Sequence, residues 1–396
     1  MSLARGAVAR RPTPAFLAQG FRPFFLAAGL WSAAALALWI VMFATGAALP
    51  SRFAPLAWHI HEMLFGFVMA AIAGFLLTAI PNWTRRRPVG GIPLALLAGL
   101  WLLGRSVCLI SALLPPVVAA AADLSFPVVL VAVVAREIVA GRNWRNLPMV
   151  VPVTVLGIAD LLMHLEAAGR AVPAGLGWRL GLAAVIVLIS VVAGRIVPSF
   201  TRNWLAKRRV ADLPAGPGPL DRAALGVLHA GLVGWAFLPG FRPAGLVLLI
   251  GAALNLRRLA GWRGGATVAE PLLLILHFGY AWLVLGAALL GLAVLDADLP
   301  PAAAIHALAA GAAGTMILAV MTRVARGHSG RDLSADRATG LLYILVTLAA
   351  IARVASAFAA GWTMPLLIVS AGLWIAAFAG FALCYGPMLL RPPAPR

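Results

Sequence analysis

Histidine is the side chain most often used to hold a transition metal, and it titrates near neutral pH. The chain has seven. Of these, His59, His61, His229, His277 and His306 fall inside long apolar stretches, together with Glu62, Arg105, Asp123, Asp160 and Arg353. An ionisable group at the centre of a membrane helix costs at least about 2.5–3.5 kcal/mol, so such residues are candidates for function. An imidazole from His61 and one from His306 would suffice to grip a single haem iron axially. Arg105 and Arg353 are cations suited to haem propionates, because guanidinium meets carboxylate through paired hydrogen bonds. Asp160 would instead neutralise one of these arginines, and Asp123 reads as an arginine's partner.

His59 and His61 are two residues apart, which sets them about 200° apart on a straight helix. At most one of them then serves a given metal site. His61 enters the apolar run with Glu62 and Met63, whereas His59 follows Trp58. This favours His61 as the buried ligand and leaves His59 open. Copper would engage a second group that includes His59 or His229. Met63, Met69, Met316 and Met321 lie on the same two segments as the favoured histidines. Thioether with imidazole suits Cu(I), although methionine in a membrane helix is more often plain packing. His164, beside Glu166, reads as an interfacial residue, and His328, between Arg326 and Arg331, as a loop residue. Cys108 and Cys384 form neither a disulfide framework nor a Cys-based metal spacing.

The segments that must position these groups are membrane helices. Of 396 residues, 63% are hydrophobic and only 11% charged, against about 25% charged in a soluble domain. A soluble enzyme, a disordered chain and a nucleic-acid binder are excluded. Crossing the hydrocarbon core takes about 20 apolar residues. Twelve stretches qualify, at 24–45, 58–81, 93–113, 117–139, 147–166, 178–198, 222–239, 243–260, 270–294, 301–322, 339–360 and 365–388. The N-terminal stretch is basic and polar and leads into a full-length span, unlike a cleavable signal peptide.

The formal charge of +19 is a topology signal. With the N-terminus in the cytoplasm, 25 Lys and Arg fall on the cytoplasmic side and four on the other, as the positive-inside rule requires. This predicts an all-α polytopic membrane protein with both termini cytoplasmic. Its parts are a tail at 1–23, a single twelve-helix domain at 24–390 and a tail at 391–396. On this topology His59, His61, Glu62, Arg105, Asp123, Asp160, His164, His306 and Arg353 share one depth band near the outer face. His229 and His277 lie nearer the midplane or the cytoplasm.

Three spans end alike. The second closes on Ala79-Ile-Pro-Asn-Trp-Thr-Arg85, the sixth on Ile196-Val-Pro-Ser-Phe-Thr-Arg202 and the tenth on Ile317-Leu-Ala-Val-Met-Thr-Arg323. The shared Thr84, Thr201 and Thr322 are 117 and 121 residues apart. Three four-helix units in parallel orientation would produce this spacing.

Several blocks carry a resemblance. They are Gly20-Phe-Arg-Pro-Phe-Phe25, His59-Ile-His-Glu-Met63, Ala79 to Thr84, Arg142-Asn-Trp-Arg-Asn-Leu-Pro148, Gly194 to Asn203, and His306 to Arg323 followed by Gly327-His-Ser-Gly-Arg331. As an ordered set over residues 20–331 they resemble the NnrS family of bacterial inner-membrane proteins. That resemblance implies a protein containing haem b and copper. It would bind or process nitric oxide, or nitrosylated iron species, and relieve nitrosative stress. It carries over His59, His61, His306 and His328 as haem or copper candidates. The arrangement is also similar to that of haem-copper oxidases, with twelve helices in three arcs and histidines on helices two and ten. It departs from them in having no His-Pro-Glu on the sixth span and only His229 on the seventh, so a three-histidine copper centre is not expected.

The expected partners are membrane lipid and nitric oxide, a small apolar molecule that reaches such a site through the bilayer. An iron with an open position would make the protein an oxidoreductase. Two axial imidazoles would make it a sensor or an electron carrier. The rival reading is a secondary transporter or metal exporter without haem, since twelve spans with intramembrane charges are common there. Against it, the charges gather at one depth and do not line a path across the midplane.

Overall fold

A computed structural model describes residues 14–392; the expected tail residues 1–13 and 393–396, with Arg5, Arg10, Arg11 and Arg396, lie outside the described residues. The described chain is helical, with no strand. Eleven helices are long and apolar enough to cross a membrane: α1 (Phe21–Thr45), α2 (Pro55–Thr84), α3 (Ile92–Leu113), α4 (Pro116–Ala140), α5 (Trp144–Ala167), α6 (Leu176–Lys207), α8 (Arg242–Ala260), α9 (Pro271–Leu295), α10 (Pro301–His328), α11 (Arg337–Ala355) and α12 (Ala360–Leu390). Between α6 and α8 lies α7 (Pro219–Phe237), 19 residues long. It carries Asp221, Arg222 and His229, which makes it less apolar. The chain is thus a multi-pass membrane protein, as its hydropathy predicts.

Buried polar bonds hold α7 in place. Arg258 on α8 donates through Nε to Asp221 Oδ1 at 2.6 Å and through Nη1 to the Tyr280 hydroxyl at 2.7 Å. That hydroxyl donates to Asn255 Oδ1 at 2.6 Å. These bonds pair polar groups whose membrane burial would otherwise be costly. Arg222, by contrast, projects outward.

Nine of the helices form a perimeter and three form the centre. The apolar windows of α2, α6 and α10 are 83%, 67% and 72% buried, whereas no other span exceeds 44%. These three helices touch one another, and they are the ones that end in Thr-Arg. Thr84, Thr201 and Thr322 are all buried. The second helix of each successive group of four is therefore central, in keeping with the spacing of the echo. The perimeter closes where α1 packs along α12. There Arg22, expected in the N-terminal tail, is 1% exposed. Its Nη1 donates to the carbonyls of Met388, Leu389 and Arg391 at 3.3, 3.1 and 2.6 Å. It satisfies the otherwise unpaired C-terminal carbonyls of α12 and puts the start of α1 and the end of α12 on one face.

Two central helices are not uniform. Glu62–Val68 in α2 and Ala307–Gly314 in α10 are wound as π-helix. Each wide turn begins one residue after a histidine, His61 and His306 respectively. Such turns are rare and often occur at functional sites.

Candidate functional site

The residues expected at one depth gather into two neighbouring sites on different faces of α2. His59 and His61 go to different sites, as their angular separation requires. The assignment between them is the reverse of the one expected.

The first site is a cavity of about 400 Å3 between α2 and α10. A ligand pocket typically falls between 300 and 1,000 Å3. The His59 and His306 side chains both line it, with Met63 and Arg353. Its walls are apolar and aromatic, including Trp39, Phe67, Trp178 and Trp374. His59 is fixed by stacking on Trp39, with centroids 4.2 Å apart and planes 25° from parallel. Its Nδ1 is buried without a hydrogen-bond partner. His306 places Nδ1 2.8 Å from the carbonyl of Ala302, one turn back. That bond fixes the tautomer, with the proton on Nδ1, and leaves Nε2 as a lone pair. Metal-bound histidines are commonly held this way. Arg353 donates to Ser356 Oγ at 3.0 Å, which occupies only one of its five donors.

Two glycines in the π-turn of α10 admit indole rings. A Cβ at Gly311 would collide with Trp282, at 2.6 Å, and one at Gly314 with the ring of Trp374. The small residues thus bring aromatic walls against the π-turn of α10.

The second site is a closed polar cluster drawn from α2, α3, α4 and α5. His61 is 0% exposed and its ring stacks on Phe53 at 4.5 Å. Its Nδ1 lies 3.0 Å from Glu62 Oε1, and its Nε2 lies 2.8 Å from Asp160 Oδ1 and 3.1 Å from Asp123 Oδ2. Arg105 donates to Glu62 Oε2 at 2.6 Å and to Asp123 Oδ1. Trp31 Nε1 donates to the same Glu62 oxygen at 2.8 Å. His164 Nε2 is 3.0 Å from Asp123 Oδ2, to which the Cys108 thiol also donates at 3.2 Å.

These contacts correct several expectations. His61 does not face His306, because three carboxylates capture its ring. Arg105 is committed to Glu62 and Asp123 and does not line the cavity, whereas Arg353 does. His164 is buried within the cluster, not interfacial. Asp123 does pair with an arginine, as its type suggested.

The remaining histidines stand apart. His229 Nε2 is 2.8 Å from Ser190 Oγ, between α6 and α7. His277 Nε2 is 3.0 Å from Thr201 Oγ1. His328 ends α10 and packs on Phe21 at 5.6 Å. It is 22 residues along the helix from His306, roughly 33 Å at 1.5 Å per residue. Neither His229 nor His328 joins a metal-binding group with the others. Of the methionines, only Met63 lines the cavity.

One group went unrecognised in the sequence. Ligand atoms of His61, Cys108, Asp123 and His164 all lie within 4.8 Å of one another. Cys108 belongs to no motif, since its companions come from three other helices. The usable signal was that Arg105, Asp123 and Asp160 share a depth with His61. The donor set of two imidazoles, a thiol and a carboxylate suits copper or zinc. Three carboxylates, Glu62, Asp123 and Asp160, face one guanidinium, Arg105, an environment that favours a bound cation.

A twelve-helix membrane protein with paired imidazoles on one cavity and a buried donor cluster beside it is the class these observations define. A family model described as NnrS protein matches residues 15–393. The chain belongs to the NnrS family. No curated protein matches it.

Proposed function

We propose that this protein holds haem b in the cavity between α2 and α10 and copper in the cluster behind it, and that it serves the response to nitric oxide. The observation that carries the reading is the pair His59 and His306. They come from separate helices, face one apolar cavity, and each keeps a ring nitrogen free of protein partners. Haem bound there would supply an iron that takes nitric oxide as a ligand.

The chain's own residues would do the rest. His59, pinned by Trp39, and His306, set by the Ala302 carbonyl, would hold the iron. Arg353 would pair with a propionate and so orient the ring. Trp178 and Trp374, which line the cavity, would exclude water. His61, Cys108, Asp123 and His164 would hold copper, with Arg105 and Glu62 fixing Asp123 and His61 from outside. Nitric oxide would enter through lipid, since the cavity walls are apolar. The arginine excess supports a single twelve-helix domain in the bacterial inner membrane, with both termini in the cytoplasm.

The test is a purified sample examined for metals and colour. The proposal expects a Soret band that shifts with nitric oxide, and copper alongside iron. A colourless, metal-free preparation that still protects cells from nitric oxide would overturn it in favour of a transporter.

A further inference from the structure

Three of the sequence blocks have no part in either site, yet the fold brings them together. On the arginine-rich face, the end of α2, the turn from α4 into α5 and the exposed side of α6 enclose a cleft of about 510 Å3. Trp83 comes from the first block, Arg142 to Asn146 from the second and Arg195 from the third. Arg142, Arg145 and Arg195 are exposed, and none forms an ion pair or side-chain hydrogen bond among the described residues. Their neighbours behave differently: Arg86 and Arg136 both pair with Glu137.

The cleft is built. Gly141 lets the turn sit against α2, because a Cβ there would lie 2.5 Å from Thr84 Cβ. Asn143 Nδ2 donates to the Trp83 carbonyl at 2.5 Å, and Asn146 Nδ2 donates to Asn143 Oδ1 at 2.9 Å. Arg142 has φ +50°, a left-handed conformation that non-glycine residues seldom adopt. The turn holds it there through Asn143 N–H to the Ile138 carbonyl at 3.0 Å. Trp144 is 59% exposed at the start of α5, where an amphipathic ring marks the headgroup level.

The geometry points to a phosphate-binding site whose ligand is the headgroup of an acidic phospholipid in the arginine-side leaflet. Three unpaired guanidiniums suit one phosphate, because each presents a planar fork to its oxygens. Basic clefts between membrane helices hold such headgroups, and Trp83 and Trp144 would flank the glycerol region.

Native mass spectrometry of the intact protein in detergent tests this, with phosphatidylglycerol, phosphatidylcholine and sodium phosphate as probes. The expected result is preferential retention of phosphatidylglycerol, weakened about fivefold for each arginine lost in Arg142→Gln, Arg145→Gln and Arg195→Gln. Arg257→Gln, an exposed arginine outside the cleft, should leave retention unchanged. Equal weakening by Arg257→Gln, or full retention in the triple variant, would overturn the site. Displacement of the lipid by millimolar phosphate would overturn the headgroup and leave soluble phosphate as the ligand. Circular dichroism of each variant separates loss of binding from loss of fold.

Discussion

His59 and His61 show how little separates two chemistries. The sequence favours His61 as the cavity ligand because it enters the apolar run. In the fold, Glu62, Asp123 and Asp160 converge on it instead, and a basic ring goes where the carboxylates are. His59 follows Trp58, which is buried, and the histidine itself stacks on Trp39 and lines the cavity. The pairing of Asp123 was legible from residue type and depth. The role of Cys108 was not, because metal spacings are read along one segment and this group spans four helices. Cys108→Ser is expected to lower copper content at least about tenfold while leaving haem in place, as metal analysis of the purified variant would show. Arg105→Gln breaks a buried ion network and should destabilise the protein by about 3–5 kcal/mol. An unfolding curve in detergent indistinguishable from the parent would refute the network.

The elements place these residues through close contacts at the π-turns. At Gly66 a Cβ would lie 2.6 Å from Trp31 Nε1 and 3.0 Å from Arg105 Nη1, the two groups that donate to Glu62. Gly66→Ala should therefore cost about 1–3 kcal/mol and loosen the donor cluster, read as a lower melting temperature together with lost copper. Helix caps away from the site behave more simply. Asp336 accepts hydrogen bonds from the Thr339 N–H and hydroxyl at the start of α11 and an ion pair from Arg326. These hold its carboxyl down, to about 2. Because the folded value lies below the unfolded one, its stabilisation is complete above pH 4 and disappears as the pH falls through about 2. Melting curves of the parent and Asp336→Asn should differ by a constant amount at pH 5 and converge near pH 2. Convergence already at pH 4 would show that the charge is not held in this way. The spans were readable from hydropathy, since length and apolarity are local, but α6 runs nine residues past its expected end at 198, to Lys207, and α10 six past 322, to His328. The π-turns were not, because the phase of a helix is set by what packs on it.

At the scale of the whole molecule, the Thr-Arg echo proved to mark position. The three helices that carry it are the three buried at the centre, and a residue repeat became a structural one. Hydropathy could count the helices, but only packing could say which were inside. Orientation follows from the arginine excess and can be checked directly. In a Cys384→Ser background, Arg170→Cys on intact cells should react with an impermeant maleimide and Arg209→Cys should not; the opposite pattern would invert the topology. Two imidazoles from distant parts of the chain, His59 and His306, line one cavity and would hold the haem. The most direct measurement is haem retention in purified His59→Ala, His306→Ala and His164→Ala, read as the Soret absorbance per protein. Loss in the first two with retention in the third is the predicted result. Full retention in both His59→Ala and His306→Ala would contradict the central claim.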